Sequence, residues 1–128
     1  LDRQDRPTLE ETQALATKWA QEAPNFGAYL GWGNLSCTYW KAKATGFAHP
    51  IKADGAPTIL VIGTINDPAT PYPWAQALAS QLSSGVLLTY DGDGHTAYFQ
   101  GSTCIDNYVD KYFLSGQAPK GVTCNDGP

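Results

Sequence analysis

"TILVIGTINDPATPYPWAQALASQLSSGVLLTY", Thr58 to Tyr90, carries the pattern that decides the fold. "TILVIG" is a continuous apolar, largely β-branched run, as expected of a strand buried on both faces rather than one. "YPWAQALASQL", after Pro71, reads as a helix, and "GVLLTY" from Gly85 is again apolar and strand-forming. Strand, helix and strand in that order form a βαβ unit, with parallel strands and a right-handed crossover. The fold class is therefore α/β. Two such strands would leave both sheet edges open, so the segment is expected to be an incomplete sheet, completed by missing upstream sequence or by another molecule.

Upstream, "TLEETQALATKWAQEAP" opens on a capping box, Thr8 with Glu11, and carries an apolar stripe of Leu9, Ala16, Trp19, Ala20 and Ala23 that stops at Pro24. From Asn25 to Ala56 the chain is rich in Gly, Trp and Tyr without a sustained period, which predicts short helical turns and loops. Downstream, Ile105, Tyr108, Val109, Tyr112 and Phe113 share one face of a last helix that Gly116 closes. The tail, "QAPKGVTCNDGP", reads as irregular. The organisation expected is a helical and loop segment over 1–56, then an α/β segment over 57–128.

At 128 residues the chain suits one domain. Only 16% of its residues are charged, against about a quarter in an average soluble protein. A net charge of −4 argues against a nucleic-acid or anionic-membrane partner. The longest apolar run is far short of the ~20 residues of a membrane span. A chain that opens on Leu1 and contains no Met is expected to be a piece of a longer product. Cys37, Cys104 and Cys124 lack the C-x-x-C spacing of zinc sites, which leaves one disulfide and one odd thiol, and favours an oxidising compartment. The odd thiol either pairs outside this chain or stays free.

Chemistry is expected at the strand ends. Asp67 follows the first strand and His95, in "DGDGH", follows the second. Adjacent parallel strands lie ~4.8 Å apart and their carboxyl ends open on one side of the sheet, so the two side chains can meet. An acid ahead of a histidine, each after a successive strand, is how an α/β-hydrolase orients its base. By themselves the residues also have plainer readings: Asp before Pro is a common turn former, and a histidine between Gly94 and Thr96 is an ordinary loop residue.

"PTILVIGTINDPATP", and then "LLTYDGDGHTAYFQGSTCIDNYVDKYFLSGQAPKGVTC", resemble the C-terminal part of the secreted tripeptidyl aminopeptidase-like (TAP-like) α/β-hydrolases. In that family a D-P-x-T-P turn supplies the acid and a G-x-G-H turn the histidine. "PNFG" at Pro24 and "CTYW" at Cys37 resemble the segment ahead of the acid strand. The resemblance implies that Asp67 is the triad acid and His95 the triad base, that Cys104 and Cys124 form the closing disulfide, and that the protein is a secreted serine peptidase. Its substrate would be a peptide with a free amino terminus, with no cofactor or metal, no nucleic acid and no membrane. None of Ser36, Ser80, Ser83, Ser84, Ser102 and Ser115 sits in G-x-S-x-G. The resemblance places the nucleophile upstream, in an N-terminal part of the same hydrolase that this chain would complete, and the chain alone is expected to be inactive. Thr96 departs from the family, where glycine often follows the histidine.

An esterase remains open, because a triad does not choose between amide and ester. So does a non-catalytic interaction or scaffold module. Asp2 and Asp5 are the acidic groups conceivable for a substrate ammonium. "DGDG" at Asp91 fails as a calcium loop, having Thr96 at the glycine position and Ser102 at the glutamate position. "NLS" at Asn34 matches a glycosylation sequon but lies among Trp and Cys neighbours that favour packing. His49, in "AHP", has no evident partner.

Overall fold

In a computed structural model, which describes residues 6–126, the chain divides into two units, Leu1–His49 and Pro50–Pro128. Asp2 and Asp5 lie outside the described residues. No helix among those described is long and apolar enough to cross a membrane.

In the first unit, α1 (Leu9–Glu22) is followed by two short helices, α2 (Gly27–Trp32) and α3 (Leu35–Tyr39). The capping box that starts α1 forms in both directions: Thr8 Oγ1 accepts from the Glu11 N–H at 3.1 Å, and the Thr8 N–H donates to Glu11 Oε2 at 2.8 Å. Ala16 and Thr12 are buried, whereas Leu9 at the edge of the predicted stripe is exposed. Glycine lets α2 approach α1 closely: a Cβ on Gly31 would lie 2.4 Å from the Ala16 Cα. Tyr29, Tyr39 and Trp40 are exposed.

The second unit is built on a three-stranded parallel sheet, β1 (Ile59–Asn66), β2 (Gly85–Asp93) and β3 (Val122–Cys124), in that order. The crossover from β1 to β2 is α4 (Tyr72–Gln81), and α5 (Thr103–Ser115) precedes β3. The βαβ unit lies where the apolar runs place it. The tail, however, is not wholly irregular: Val122, Thr123 and Cys124 pair with Leu88, Thr89 and Tyr90. Three residues are too few to show a period, and this strand is defined by its partner. β2 also runs past Tyr90 through "DGD", residues that strands ordinarily avoid.

Leu88, Tyr90, Ala97, Ile105, Val109 and Cys124 form the core of this unit. Full burial of Leu88 and Ile105 contributes roughly 1.5–3 kcal/mol each. Along α5 the predicted face is buried at Ile105 and Val109, but Phe113 is 73% exposed. Eight residues along a helix turn a side chain about 80° away, far enough to carry Phe113 off the edge of so narrow a sheet. Gly116 ends α5 in the left-handed region, φ 69°, as its position predicted.

α4 packs on β1 through Gly63. A Cβ there would stand 2.8 Å from both the Ala75 Cβ and the Tyr72 ring, while the Tyr72 hydroxyl hydrogen-bonds Thr89 Oγ1 at 2.7 Å. Alanine in a strand normally gains ~0.5–1 kcal/mol over glycine. Here the overlap outweighs that gain, and Gly63→Ala is expected to cost about 1–3 kcal/mol net in urea unfolding. An unchanged midpoint would show that α4 is free to move away.

Candidate active site

The site is assembled where β1 and β2 end. Pairing is regular from Ile59↔Gly85 to Thr64↔Tyr90, then shifts by a bulge to Asn66↔Asp93. The Asn66 Nδ2 donates to Asp93 Oδ1 at 2.9 Å and ties the two ends together. Asp67 and His95 therefore leave adjacent strands on the same side of the sheet. His95 Nδ1 lies 3.1 Å from Asp67 Oδ1 and 3.0 Å from Oδ2.

The carboxylate is buried, its side chain 3% exposed, while the imidazole is 53% exposed. Oδ1 also accepts from the N–H groups of Ala69 and Thr70, both at 2.8 Å. Oδ2 accepts from the Thr70 hydroxyl at 2.8 Å and the Thr96 N–H at 3.2 Å. Asp67 thus does make the turn that Asp before Pro suggests, and the same carboxylate faces the histidine. The turn residues orient the acid. Pro68 and Pro71 restrict Asp67 and Thr70 to extended backbone, which stiffens the loop.

The Thr70 N–H, opposed by burial and reinforced by the Thr70 hydroxyl, the Ala69 N–H and His95, holds the Asp67 carboxyl well below the usual carboxylate range. An ionised carboxylate only accepts, so its bond to His95 requires hydrogen on Nδ1. The lone pair of a neutral ring then sits on Nε2, which has no hydrogen-bond partner among the described residues. That is the protonation pattern of a base ready to take a proton.

Around the histidine the backbone is strained. Thr96 has φ 68° and Phe99 φ 59°, in the region that favours glycine. Each is held by a carboxylate: Thr96 N–H by Asp67, and Phe99 N–H by Asp106 Oδ1 at 2.8 Å. Thr64 Oγ1 further donates to the Thr96 carbonyl at 3.2 Å. An apolar hollow of about 390 Å³ runs beside this constellation, walled by Val61, Trp74, Leu78 and Tyr98 and bordered by Asp67 and Thr70.

Among the described residues of the second unit no serine is a hydrogen-bond partner of His95. Ser36, Ser80, Ser84 and Ser115 donate to backbone carbonyls, Ser83 to Asp54, and Ser102 to Asp126. His49, in the first unit, has its Nδ1 3.0 Å from the Phe47 carbonyl oxygen. Asn34 Nδ2 donates to the Gly31 carbonyl at 3.3 Å. No group of three or more His, Cys, Asp or Glu among the described residues could hold a metal ion. Cys104 and Cys124 are joined by a disulfide, with Cα atoms 5.7 Å apart, and Cys37 is free. Sequence reasoning gave no role to Thr70, Asn66 or Asp126; of these Thr70 alone carries signals that could have pointed to it, as the threonine of the D-P-x-T-P turn three residues after an Asp.

A model of the TAP-like protein family matches residues 23–124. The chain belongs to the TAP-like family. Its three parallel strands and flanking helices are a partial α/β-hydrolase fold. Among TAP-like relatives, carboxylesterase B of Mycobacterium tuberculosis is 45% identical over 121 residues, covering 90% of this chain and 23% of that protein. Serine protease Hip1 of the same organism is 41% identical over 102 residues, covering 78% and 19%. Tripeptidyl aminopeptidase of Streptomyces lividans is 32% identical over 95 residues, covering 73% and 18%. The chain spans about a fifth of the length of these curated relatives.

Proposed function

We propose that this chain supplies the acid and the base of a secreted serine peptidase that removes short peptides from free amino termini, with Asp67 and His95 as two members of its triad. The observation that carries the reading is the buried Asp67 carboxylate 3.0 Å from Nδ1 of a half-exposed histidine. The nucleophilic serine and the oxyanion hole belong to an N-terminal part of the same hydrolase, which the relatives' greater length leaves room for. As the serine oxygen attacks the scissile carbonyl carbon, Nε2 of His95 takes its proton. Asp67 stabilises the imidazolium without itself being protonated. The proton then passes to the leaving amine, and a water deprotonated by the same nitrogen releases the acyl group.

An esterase is the second reading, favoured by the 45% identity to a protein named carboxylesterase B. One experiment separates them. The full-length hydrolase is offered a tripeptide anilide with a free amino terminus, its acetylated counterpart, and a p-nitrophenyl ester. Turnover of the free tripeptide alone among the peptides, lost in His95→Ala and absent from the isolated chain, is the expected result. Ester hydrolysis without peptide hydrolysis selects the esterase. A His95→Ala enzyme as active as wild type would overturn the acid–base pair in either form.

A further inference from the structure

We propose that Thr70 is a positioning residue whose hydroxyl sets the orientation of the acid and, through it, of the base; this rests on the reading of Asp67 and His95 as a catalytic pair. Apart from His95 itself, whose Nδ1 straddles the two oxygens, Thr70 is the one described residue that bonds both carboxylate oxygens. Its N–H donates to Oδ1 and its Oγ1–H to Oδ2, each at 2.8 Å. Rotation of the carboxylate about its terminal bond would break one of them, so the plane of the acid is fixed. The backbone donors outside Thr70 do not do this: the Ala69 N–H duplicates the hold on Oδ1, and the Thr96 N–H reaches Oδ2 from the histidine loop itself.

The same hydroxyl oxygen lies 3.4 Å from His95 Nδ1. A hydroxyl has a single hydrogen, and here it is committed to Oδ2, so the side of Oγ1 that faces the ring offers lone pairs. The Nδ1 hydrogen therefore meets acceptors on the carboxylate and on Thr70 alike, and ring rotation between them leaves the proton on Nδ1. A hydroxyl that held the ring by donating to a bare Nδ1 would instead place the hydrogen on Nε2 and disable the base. The ionised acid, which accepts from the Thr70 hydroxyl at 2.8 Å and offers Nδ1 only acceptors, excludes that arrangement. Backbone donation survives any substitution at position 70, which makes the hydroxyl the residue-specific part.

Thr70→Val keeps the branched shape and the N–H while deleting the donor; Thr70→Ser keeps the donor and deletes the methyl. In the full-length hydrolase, on whichever of the substrates above it turns over, Thr70→Val is expected to lower kcat about 10- to 100-fold, the loss of a hydrogen bond to a charged group, with KM changed less than about two-fold. Thr70→Ser is expected to retain most of kcat. Nitrogen–proton correlation spectra of the ¹⁵N-histidine-labelled enzyme should show the Nδ1–H form of His95 in wild type and Thr70→Ser, and a mixture of tautomers in Thr70→Val. If Thr70→Val fails to fold, Thr70→Ala removes the same hydroxyl with less bulk and is read in the same way. Wild-type kcat in the hydroxyl-free variant, or an equal loss in Thr70→Ser, overturns the proposal while His95→Ala, assayed alongside, still reports on the pair. A fully active His95→Ala enzyme overturns both.

Discussion

Asp67→Asn in the full-length hydrolase is expected to lower kcat by about 10⁴-fold with little change in KM. The cause lies in the donors that surround the side chain. Every group within reach of Asp67, the N–H groups of Ala69, Thr70 and Thr96, the Thr70 hydroxyl and the His95 ring, can be satisfied together only by an acceptor. An asparagine has one acceptor oxygen and one amino group. With its oxygen turned to Ala69 and Thr70, its amino group faces Nδ1, which must then give up its hydrogen; the proton moves to Nε2 and the base is lost. The variant should also differ in acid. Because the folded-state pKa of Asp67 is depressed, its stabilisation is complete above the ordinary carboxylate pKa of about 4 and is lost as pH falls below that value. Thermal melts from pH 6 to pH 2 should therefore fall less steeply for Asp67→Asn than for wild type. A variant within ten-fold of wild-type kcat would remove Asp67 from the mechanism.

Loss of the Cys104–Cys124 disulfide is expected to destabilise the fold by about 3 kcal/mol, the chain-entropy value for ends 20 positions apart. The bond does more than close a loop. Cys124 ends β3 and is buried, Cys104 lies in the first turn of α5, and the residues flanking the bridge are tied a second time through Asp126. That carboxylate accepts from the Ser102 hydroxyl at 2.6 Å and the Cys104 N–H at 2.8 Å, and Ser102 in turn accepts from the Ile105 N–H. A strand of three residues has few ladder bonds of its own, so it depends on these ties. Alkylation without reduction, followed by mass spectrometry, should modify Cys37 alone; labelled Cys104 or Cys124 would contradict the pairing. The double Ser variant should have a lower urea midpoint, and an unchanged one would assign the hold on β3 to Asp126.

What could be read from the sequence depended on whether a signal was local. Apolar runs at Ile59 and Gly85, the capping box at Thr8 and the closing Gly116 act within a few residues, and the elements appear where they predict. The approach of Asp67 to His95 was legible because parallel pairing carries both to one end of the sheet. β3 was not, since three residues acquire a strand conformation only by pairing with Leu88, Thr89 and Tyr90. Nor was the extension of β2 through Asp93, which an Asn66 side chain holds across a bulge. Thr70 and Asp126 look like ordinary turn and tail residues until their partners are known. The helix face read one residue too wide, at Phe113, because its width is set by the sheet and not by the helix.

The left-handed backbone at Thr96 bears on how relatives should be searched for. A branched residue in this conformation costs roughly 1–2 kcal/mol. Here its N–H bonds to Asp67 and its carbonyl to Thr64, which offsets the strain and keeps the histidine loop on the path a glycine would follow. A threonine after the histidine is thus accommodated while the imidazole stays within reach of Asp67. A pattern that demands glycine at that position would pass over this chain, which belongs to the family. A more faithful fingerprint couples it to a hydrogen-bonding residue at position 64, so that the two are expected to vary together.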